Sequence, residues 1–322
     1  MLVKIILIYP ASFSDVSSTV YQGFLDKMSV LMIAYKHILA VVDTRSPMQN
    51  SLRKAMILSD KTNAKLTLLE VSPKNTLLSK LTHSSSSIEP FVVHKKSIEQ
   101  YRAQGKKIEN KTRINNSVSK AILEELEQEQ YDLVILNYKH HHPLFHEFSF
   151  ADEWRLLRQS DVAVMLVGSN EWGENGHILT AIETDDASHQ HNTFNQKLLD
   201  ETEHIASLLS SDIHLVNCFL EQNLSMAIKP SKVKHRLNNQ RRHWINLVDS
   251  SNSHQIEHSH LHLEEGLPDH IIPNMAEKYG ANIVILGAGE HHGLFSHFKG
   301  HTSEHIIDQL NCDIFAIKPA SS

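Results

Sequence analysis

Short apolar runs recur along this chain of 322 residues, and each is followed by a polar loop and a stretch of helical spacing. The runs HILAVVD (37–43) and HILTAIE (177–183) are short and continuous, which is typical of buried parallel strands, and both end in an acid. The runs KLTLLEV (65–71) and DIHLVNCF (212–219) come next in each half. Strands that alternate with helices in this way predict an α/β fold with parallel sheets.

The stretches between these runs have apolar residues three and four positions apart, as on the buried face of a helix. In the second half the series is clear and comprises Phe194, Leu198, Thr202, Ile205, Ala206 and Leu209. In the first half a weaker series comprises Leu52, Ala55, Met56 and Ser59. Helices are also predicted at 118–127 and 269–278. The segments 72–110 and 221–258 have little periodicity, and we expect a helix and a loop in each.

The two halves of the chain repeat one pattern. YDLVILNYKHHHPLFHEF (131–148) aligns without a gap on ANIVILGAGEHHGLFSHF (281–298), so that both strands and both histidine pairs coincide. The same register continues until DVAVMLV (161–167) aligns with NCDIFAI (311–317). A register shared over this length indicates a tandem duplication.

The duplication predicts two tandem α/β domains, each a doubly wound parallel sheet of five strands. We expect the first domain at 35–168 and the second at 177–320, separated by the polar stretch GSNEWGENG. Residues 1–34 form an N-terminal extension that is either disordered or absent from a native chain starting at Met28 or Met32. Ligands of doubly wound sheets bind at the carboxyl ends of the strands, so the loops that follow the strands are the candidate sites.

Composition argues against several classes of partner. The net charge of −6 and the pI near 6.5 leave no broad basic surface for a nucleic acid, and we interpret the basic cluster at 229–242 as a solvated charge run. No run approaches the ~18 apolar residues that a membrane-spanning helix needs. The two cysteines, Cys218 and Cys312, lie in apolar runs and are expected to be small buried residues. We therefore expect a cytoplasmic protein with no nucleic-acid or membrane partner.

Motifs for catalysis are absent from the sequence. There is no Gly-x-Ser-x-Gly nucleophile elbow, and neither cysteine lies in a recognisable nucleophile context. The adjacent acids Asp185 and Asp186 have no identifiable partner, so we interpret them as a solvated pair. We expect a protein that is not an enzyme.

Two stretches resemble the universal stress protein family, in particular its tandem-domain type. They are GLPDHIIPNMAEKYGANIVILG (266–287) and NQKLLDETEHIASLLSSDIHLV (195–216), and the resemblance covers roughly residues 35 to 320. It implies the universal stress protein/adenine nucleotide alpha hydrolase-like fold, a cytoplasmic location and a role in stress resistance. It also implies that the two copies pair about a pseudo-twofold axis through their last strands, 162–167 and 313–318. One branch of the family binds ATP and another does not.

The ATP-binding branch carries the motif G-x2-G-x9-G-[S/T] after the fourth strand, where small residues let backbone amides approach the phosphates. The resemblance places its first and third glycines at Gly287 and Gly300, but Glu290 replaces the second glycine and His301 the hydroxyl residue. Each like-charge pair between a carboxylate and a triphosphate costs about 4 kcal/mol at ~4 Å. A slip of one residue would let Thr302 supply the hydroxyl.

The first copy retains none of the motif glycines. Its four motif positions hold Asn137, His140, Phe150 and Ala151. It does keep Asp43, the acid after the first strand that contacts the adenine end in ATP-binding members, whereas the second copy has Glu183. No cofactor is therefore expected, and the family-equivalent nucleotide positions are predicted to be vestigial: Asp43, Glu183, Gly287, Gly300 and Thr302.

Histidine is abundant, with 24 residues, and the glycine loop carries His291, His292, His297, His301 and His305. Imidazoles suit Zn²⁺, Ni²⁺ or Cu²⁺, so a metal site stays open beside solvated loop histidines. A further cluster, the alternating HSHLHLE (258–264), predicts a strand with a polar face. Both copies share the pattern HHxLFxxF, whose aromatics either pack between elements or line an apolar pocket: Phe145, Phe148, Phe295 and Phe298.

These observations predict a non-enzymatic stress-response protein that binds a partner or a small apolar or nucleotide-like ligand. Pairing of the two copies within the chain is expected, and further homodimerisation is left open. Two alternatives remain: an ATP-binding protein with weak ATPase activity through the second copy, and a histidine-dependent metal sensor.

Overall fold

The computed structural model describes residues 35–44, 49–74, 90–138, 150–184, 189–220, 230–254, 256–288 and 306–318. The extension predicted at 1–34 lies outside these ranges, as do the histidine- and phenylalanine-containing loops at 139–149 and 289–305.

The first copy alternates strands and helices along its length. Its strands are β1 (His37–Asp43), β2 (Lys65–Ser72), β3 (Ile108–Ile114), β4 (Leu133–Asn137) and β5 (Ala163–Val167). Its helices are α1 (Asn50–Thr62), α2 (Pro90–Ala103), α3 (Val118–Leu126) and α4 (Phe150–Gln159). The helices predicted near Leu52 and at 118–127 are therefore confirmed.

The second copy follows the same order. Its strands are β6 (His177–Ala181), β7 (Asp212–Phe219), β8 (Leu261–Glu265), β9 (Ala281–Gly287) and β10 (Asp313–Ile317). Its longer helices are α5 (His189–Leu209), α6 (Pro230–Asn252) and α7 (Pro268–Lys278), and a 3₁₀ turn spans His258–His260. The helix predicted from Phe194 to Leu209 is confirmed, and the strand predicted from HSHLHLE is confirmed only from Leu261 onward.

Within the described residues, ten strands form one sheet in the order β3-β2-β1-β4-β5-β10-β9-β6-β7-β8. Each half is parallel, and the halves meet where β10 pairs with β5 antiparallel, with Phe315 opposite Met165. The order runs identically outward from this central pair, which is the arrangement that a pseudo-twofold axis produces. Two doubly wound five-stranded units paired through their last strands are thus confirmed.

Helices cover both faces of the sheet, and each face has one core that spans both copies. On one face α1, α2, α5 and α6 pack through Leu58, Tyr101, Leu198 and Leu247. On the other face α3, α4 and α7 pack through residues that include Ile122, Leu157 and Ile272. Burying each such aliphatic side chain stabilises the fold by about 1.5–3 kcal/mol, so the two copies share their largest source of stability.

A buried ion pair also joins the copies. Lys54 on α1 and Asp313 at the start of β10 are 1% and 0% exposed, and Lys54 Nζ lies 2.5 Å from Asp313 Oδ2. The Trp172 indole donates to the same carboxylate oxygen at 2.7 Å, and the Gly168 amide donates to Oδ1 at 2.9 Å. These contacts attach the segment between the copies, 168–176, to both halves of the molecule.

Candidate functional site

The structure places three of the five family-equivalent nucleotide positions at the carboxyl ends of strands. Asp43 ends β1, Gly287 ends β9, and Glu183 follows β6 by two residues. Strands β6 and β9 are neighbours, so Glu183 and Gly287 flank one crevice, and Asp43 belongs to the equivalent crevice of the first copy. Gly300 and Thr302 lie outside the described residues.

Side-chain amides donate hydrogen bonds to the backbone carbonyls that follow β6. Three successive carbonyl oxygens each accept a hydrogen bond: Ile182 from Asn217 Nδ2 at 2.9 Å, Glu183 from Asn195 Nδ2 at 2.7 Å, and Thr184 from Asn246 Nδ2 at 2.9 Å. The three donors come from three elements, β7, α5 and α6. Each of these three backbone carbonyls therefore already has a hydrogen-bond donor within the chain.

The imidazole of His243 fills the space beside these amides. It is 2% exposed, and its Nδ1 lies 3.0 Å from Thr184 Oγ1 and 3.1 Å from Asn217 Oδ1. Because Asn217 donates through Nδ2 to Ile182, its Oδ1 faces the imidazole and can only accept, so His243 Nδ1 carries the hydrogen. Helix α6 thus contributes to a hydrogen-bonded cluster of side chains beyond the end of β6. We call this cluster the polar plug, and it consists of Thr184, Asn195, Asn217, His243 and Asn246.

Sequence reasoning missed the polar plug because its members lie far apart in the chain. His243 and Asn246 fall in the segment 221–258, where little periodicity was recognised. His243 nevertheless precedes Asn246 by three residues and the fully buried Leu247 by four, which are the spacings of one helix face. In the sequence, the available signal was this helical spacing of polar residues beside an apolar one.

In the first copy, Asn137 occupies the crevice between β1 and β4. It stands where the motif has its first glycine, and its Oδ1 accepts a hydrogen bond from the Ser51 amide at 2.9 Å. Ser51 Oγ in turn donates to the Val41 carbonyl at 2.8 Å. The side chain that stands in place of the glycine therefore holds the first turn of α1 against the end of β4, and the Ser51 hydroxyl holds the same turn against β1.

The residue that follows the fourth strand makes the same backbone hydrogen bond in both copies. The Ala288 amide donates to the Ile317 carbonyl at 2.8 Å, and the Tyr138 amide donates to the Val167 carbonyl at 2.8 Å. The first residue of each loop is thus hydrogen-bonded to the last strand of its own copy. Tyr138 also reaches the other copy, because its hydroxyl donates to Asp308 Oδ1 at 3.0 Å.

Within the residues described, no group of three or more histidine, cysteine or acidic side chains has the geometry of a metal site. The predicted loop ligands, His291 to His305, lie outside those residues. His260 and His262 lie instead with His177 and His214 at the amino-terminal ends of the strands, where both stack on His214 and His177 meets His214 edge-on.

Both cysteines have the environment expected of buried hydrophobic residues. Burial raises the pKa of each thiol, Cys218 and Cys312, to about 12, and neighbouring carboxylates add to the effect. Neither thiol forms an appreciable amount of the nucleophilic thiolate at neutral pH. No helix in the described part of the chain is long and apolar enough to cross a membrane.

Comparison with known proteins agrees with this architecture. The family model described as Universal stress protein family matches residues 34–168 and 177–318. Universal stress protein E of Photorhabdus laumondii is 29% identical over 305 residues, covering 89% of this chain and 96% of that protein. Universal stress protein E of Escherichia coli K12 is also 29% identical, covering 89% of this chain and 95% of that protein.

Solved structures share the fold over nearly the whole chain. A functionally unknown protein from Pseudomonas aeruginosa PAO1 superposes with a TM-score of 0.70 at 21% identity, covering 91% of this chain and 95% of its own. A universal stress protein from Archaeoglobus fulgidus superposes with a TM-score of 0.59 at 14% identity, covering 89% and 97%. With family matches at 34–168 and 177–318, this chain belongs to the universal stress protein family.

Proposed function

We propose that this protein serves the stress response in the cytoplasm by binding a ligand or a protein partner, without binding or hydrolysing ATP. The observation that carries the proposal is the polar plug of α6 at the end of β6. Three backbone carbonyls are bonded to asparagine amides, and His243 is buried against them. An adenine ring entering this crevice would have to displace an imidazole and break several hydrogen bonds.

The substitutions in the motif point the same way. Glu290 and His301 replace residues that face phosphates in the ATP-binding branch, and Asn137 replaces the first glycine in the other copy. Neither copy therefore combines an open adenine end with an intact phosphate loop. Binding of a small apolar or nucleotide-like ligand elsewhere, or of a protein partner, agrees with both observations.

ATP binding through the second copy is the alternative, and Gly287 at the end of β9 favours it because the first glycine of the motif is kept. Titration calorimetry of the full chain with ATP–Mg²⁺ separates the two functions. We expect no binding tighter than about 10 μM, which corresponds to roughly 7 kcal/mol. Tighter binding to the unaltered protein would overturn the proposal.

A variant tests whether the polar plug is the cause. His243→Ala combined with Asn246→Ala empties the adenine end, and we expect measurable binding of adenosine, which has no phosphate to meet Glu290. The matched control is Arg241→Ala with Arg242→Ala, two exposed positions on the same helix. If the opened variant and the control both fail to bind adenosine, the polar plug does not explain the lack of binding.

A further inference from the structure

Four imidazoles and a phenol are packed together at the amino-terminal edge of the second copy's sheet. His177 begins β6, His214 lies near the start of β7, and His260 and His262 flank the start of β8. Tyr279 precedes β9 and stacks on His262 with ring centroids 4.4 Å apart. This edge is at the opposite end of the strands from the crevice that holds the polar plug.

Three hydrogen bonds connect four of these rings into a chain, which we call the imidazole relay, and His260 stacks on His214 beside it. Tyr279 Oη lies 3.4 Å from His262 Nδ1, His262 Nε2 lies 3.0 Å from His214 Nδ1, and His214 Nε2 lies 3.3 Å from His177 Nδ1. His214 and His262 are only 4% and 8% exposed. Water therefore has little access to replace any of these bonds.

The relay tolerates one added proton but not two. In the neutral state each imidazole has one N–H and one lone pair, so every ring can donate to the next in a single direction. When one ring is protonated it donates to both neighbours, and the other rings adapt by changing tautomer. A second proton always forces two N–H groups to face each other, or leaves a neutral ring between two donors, because His214 has neighbours on both sides.

In the first copy, different side chains stabilise the equivalent edge of the sheet. By strand register, Thr67 corresponds to His214 and Lys111 to His262, and by the sequence repeat Glu129 corresponds to Tyr279. His37, the equivalent of His177, keeps its bond, with Nε2 2.8 Å from Thr67 Oγ1. Beyond that point ion pairs replace the imidazoles, since Lys111 Nζ lies 2.5 Å from Glu129 Oε2.

We propose that the imidazole relay makes the second copy selectively acid-labile: uptake of protons at the β6–β7–β8 edge breaks the relay and loosens this edge, while the ion-paired edge of the first copy stays closed. Mild acid would then alter one half of a symmetric molecule. This inference concerns a different edge from the polar plug and does not depend on the proposed function.

The charged groups around the relay agree with this direction. Burial lowers the pKa of His214 to about 4, helped by His260, His262 and His177 and opposed by Asp212. Burial likewise lowers the pKa of His262 to about 4, helped by Lys278 and His260. Unfolded histidine titrates near 6.5, so the stability from the relay is present above pH 6.5 and is lost as the pH falls towards 4.

Burial also lowers the pKa of His37 in the first copy, but the ion pairs of that copy respond in a lower pH window. Hydrogen bonds from Lys111 and Lys65 lower the pKa of Glu129 to about 2. Since an unfolded glutamate titrates near 4.3, this contribution is present above that value and is lost only as the pH falls towards 2. Near pH 5 the two copies should therefore differ most.

Hydrogen exchange of the full chain, corrected for the intrinsic effect of pH, measures this difference directly. Between pH 7.5 and pH 5 we expect protection of 177–181, 212–219 and 261–265 to fall by about tenfold or more. Protection of 37–43 and 65–72 should fall by clearly less, because His37 stands there in place of several packed histidines. Equal loss in both copies, or no loss in the second, overturns the proposal.

A substitution that copies the first half provides the second test. His214→Thr introduces the residue found at Thr67, and we expect it to abolish most of the acid-induced loss of protection. The control is His270→Gln, an exposed histidine on α7, which should behave as the unaltered protein does. An unchanged acid response in His214→Thr contradicts the proposal.

If His214→Thr does not fold at pH 7.5, imidazole resonances of the unaltered protein decide the matter. We expect His214 and His262 to stay neutral down to about pH 5, well below the ordinary value near 6.5. Titration of both rings near pH 6.5 would rule out a buried relay.

Discussion

Asp313, which forms the buried ion pair with Lys54, has no equivalent aspartate in the first copy, because Ala163 aligns with it. Both partners are buried, and burial raises the pKa of Asp313 even though Lys54, Gly168 and Trp172 stabilise its charged form. A pair of this kind contributes little compared with apolar packing, but removal of one partner leaves the other charge buried alone. Its value here is that it specifies how the two copies and the inter-copy segment fit together.

Asp313→Asn should therefore lower the free energy of unfolding by about 3–5 kcal/mol, since the Lys54 ammonium loses its charge partner. Urea denaturation at pH 7 measures the change. The matched control is Arg53→Gln, which removes the neighbouring ion pair with Glu171, whose partners are 41% and 71% exposed. We expect the control to cost less than about 1 kcal/mol, and equal losses would show that burial is not the deciding factor.

Glu201 on α5 has the opposite pH dependence from the imidazole relay. Its Oε2 accepts from the Tyr35 hydroxyl at 3.0 Å, and burial raises its pKa to about 7. The unfolded carboxyl ionises near 4.3, so the folded state binds more protons between these values, and stability falls as the pH rises through 7.

Glu201→Gln removes this ionisation, and we expect the variant to be more stable than the unaltered protein by about 1–3 kcal/mol at pH 8.5. At pH 5 the two proteins should differ little, because the carboxyl is then largely protonated in the folded state. Urea denaturation at both pH values checks the prediction. A gain of equal size at the two pH values would point to packing instead of ionisation.

Among the elements, the turn into α7 depends on one glycine. Gly266 has a φ of +152°, and a Cβ at this position would lie 3.1 Å from Ile271 Cδ1. Leu267 and Pro268 then begin α7, with the proline in the first turn, where its missing amide costs nothing. The GLP sequence that resembles the family is thus explained by backbone geometry.

Gly266→Ala should cost about 1–3 kcal/mol of stability, because an L side chain rarely adopts this φ. The control is Gly173→Ala, at a position with open space and no positive φ, which should be neutral or slightly stabilising. Thermal denaturation of both variants at pH 7.5 measures the difference. A tolerated alanine at 266 would show that the turn can relax.

The strands and helices with clear periodicity were predictable, and β3 was not. Its sequence IENKTRI (108–114) has polar side chains that are exposed or partly exposed, because it is an edge strand with one neighbour, β2. Ion pairs with α3 and with the loop that follows α3 stabilise this strand, such as the pair of Arg113 Nη2 and Glu125 Oε2 at 2.6 Å. No apolar run marks a strand that is stabilised in this way.

At the scale of the whole molecule, the antiparallel pair β5–β10 makes one sheet out of two. A chain that ends near Gly173 would leave β5 as an unpaired edge and would expose the shared core, in which Met165 and Phe315 are both fully buried. Unpaired strand edges of this kind associate with other chains.

We expect the isolated first copy, residues 35–173, to be insoluble or to dimerise, as measured by light scattering after gel filtration. Co-expression with residues 174–318 should restore a soluble one-to-one complex, which serves as the control for folding of the fragment. A first copy that stays monomeric, soluble and well folded would contradict intimate pairing of the two halves.

The sequence by itself determined the duplication, the α/β class, the pairing strands and the loss of motif glycines. The duplication and the α/β class follow from local patterns that each copy of the strand–helix unit keeps. The pairing strands and the motif positions follow from the resemblance to the family. Only the tertiary structure decided what occupies the crevices and the opposite edges. The polar plug joins residues between 184 and 246, and the imidazole relay joins residues between 177 and 279. Hydrogen bonds between distant segments leave no period in a sequence, because their partners are brought together only when the sheet forms.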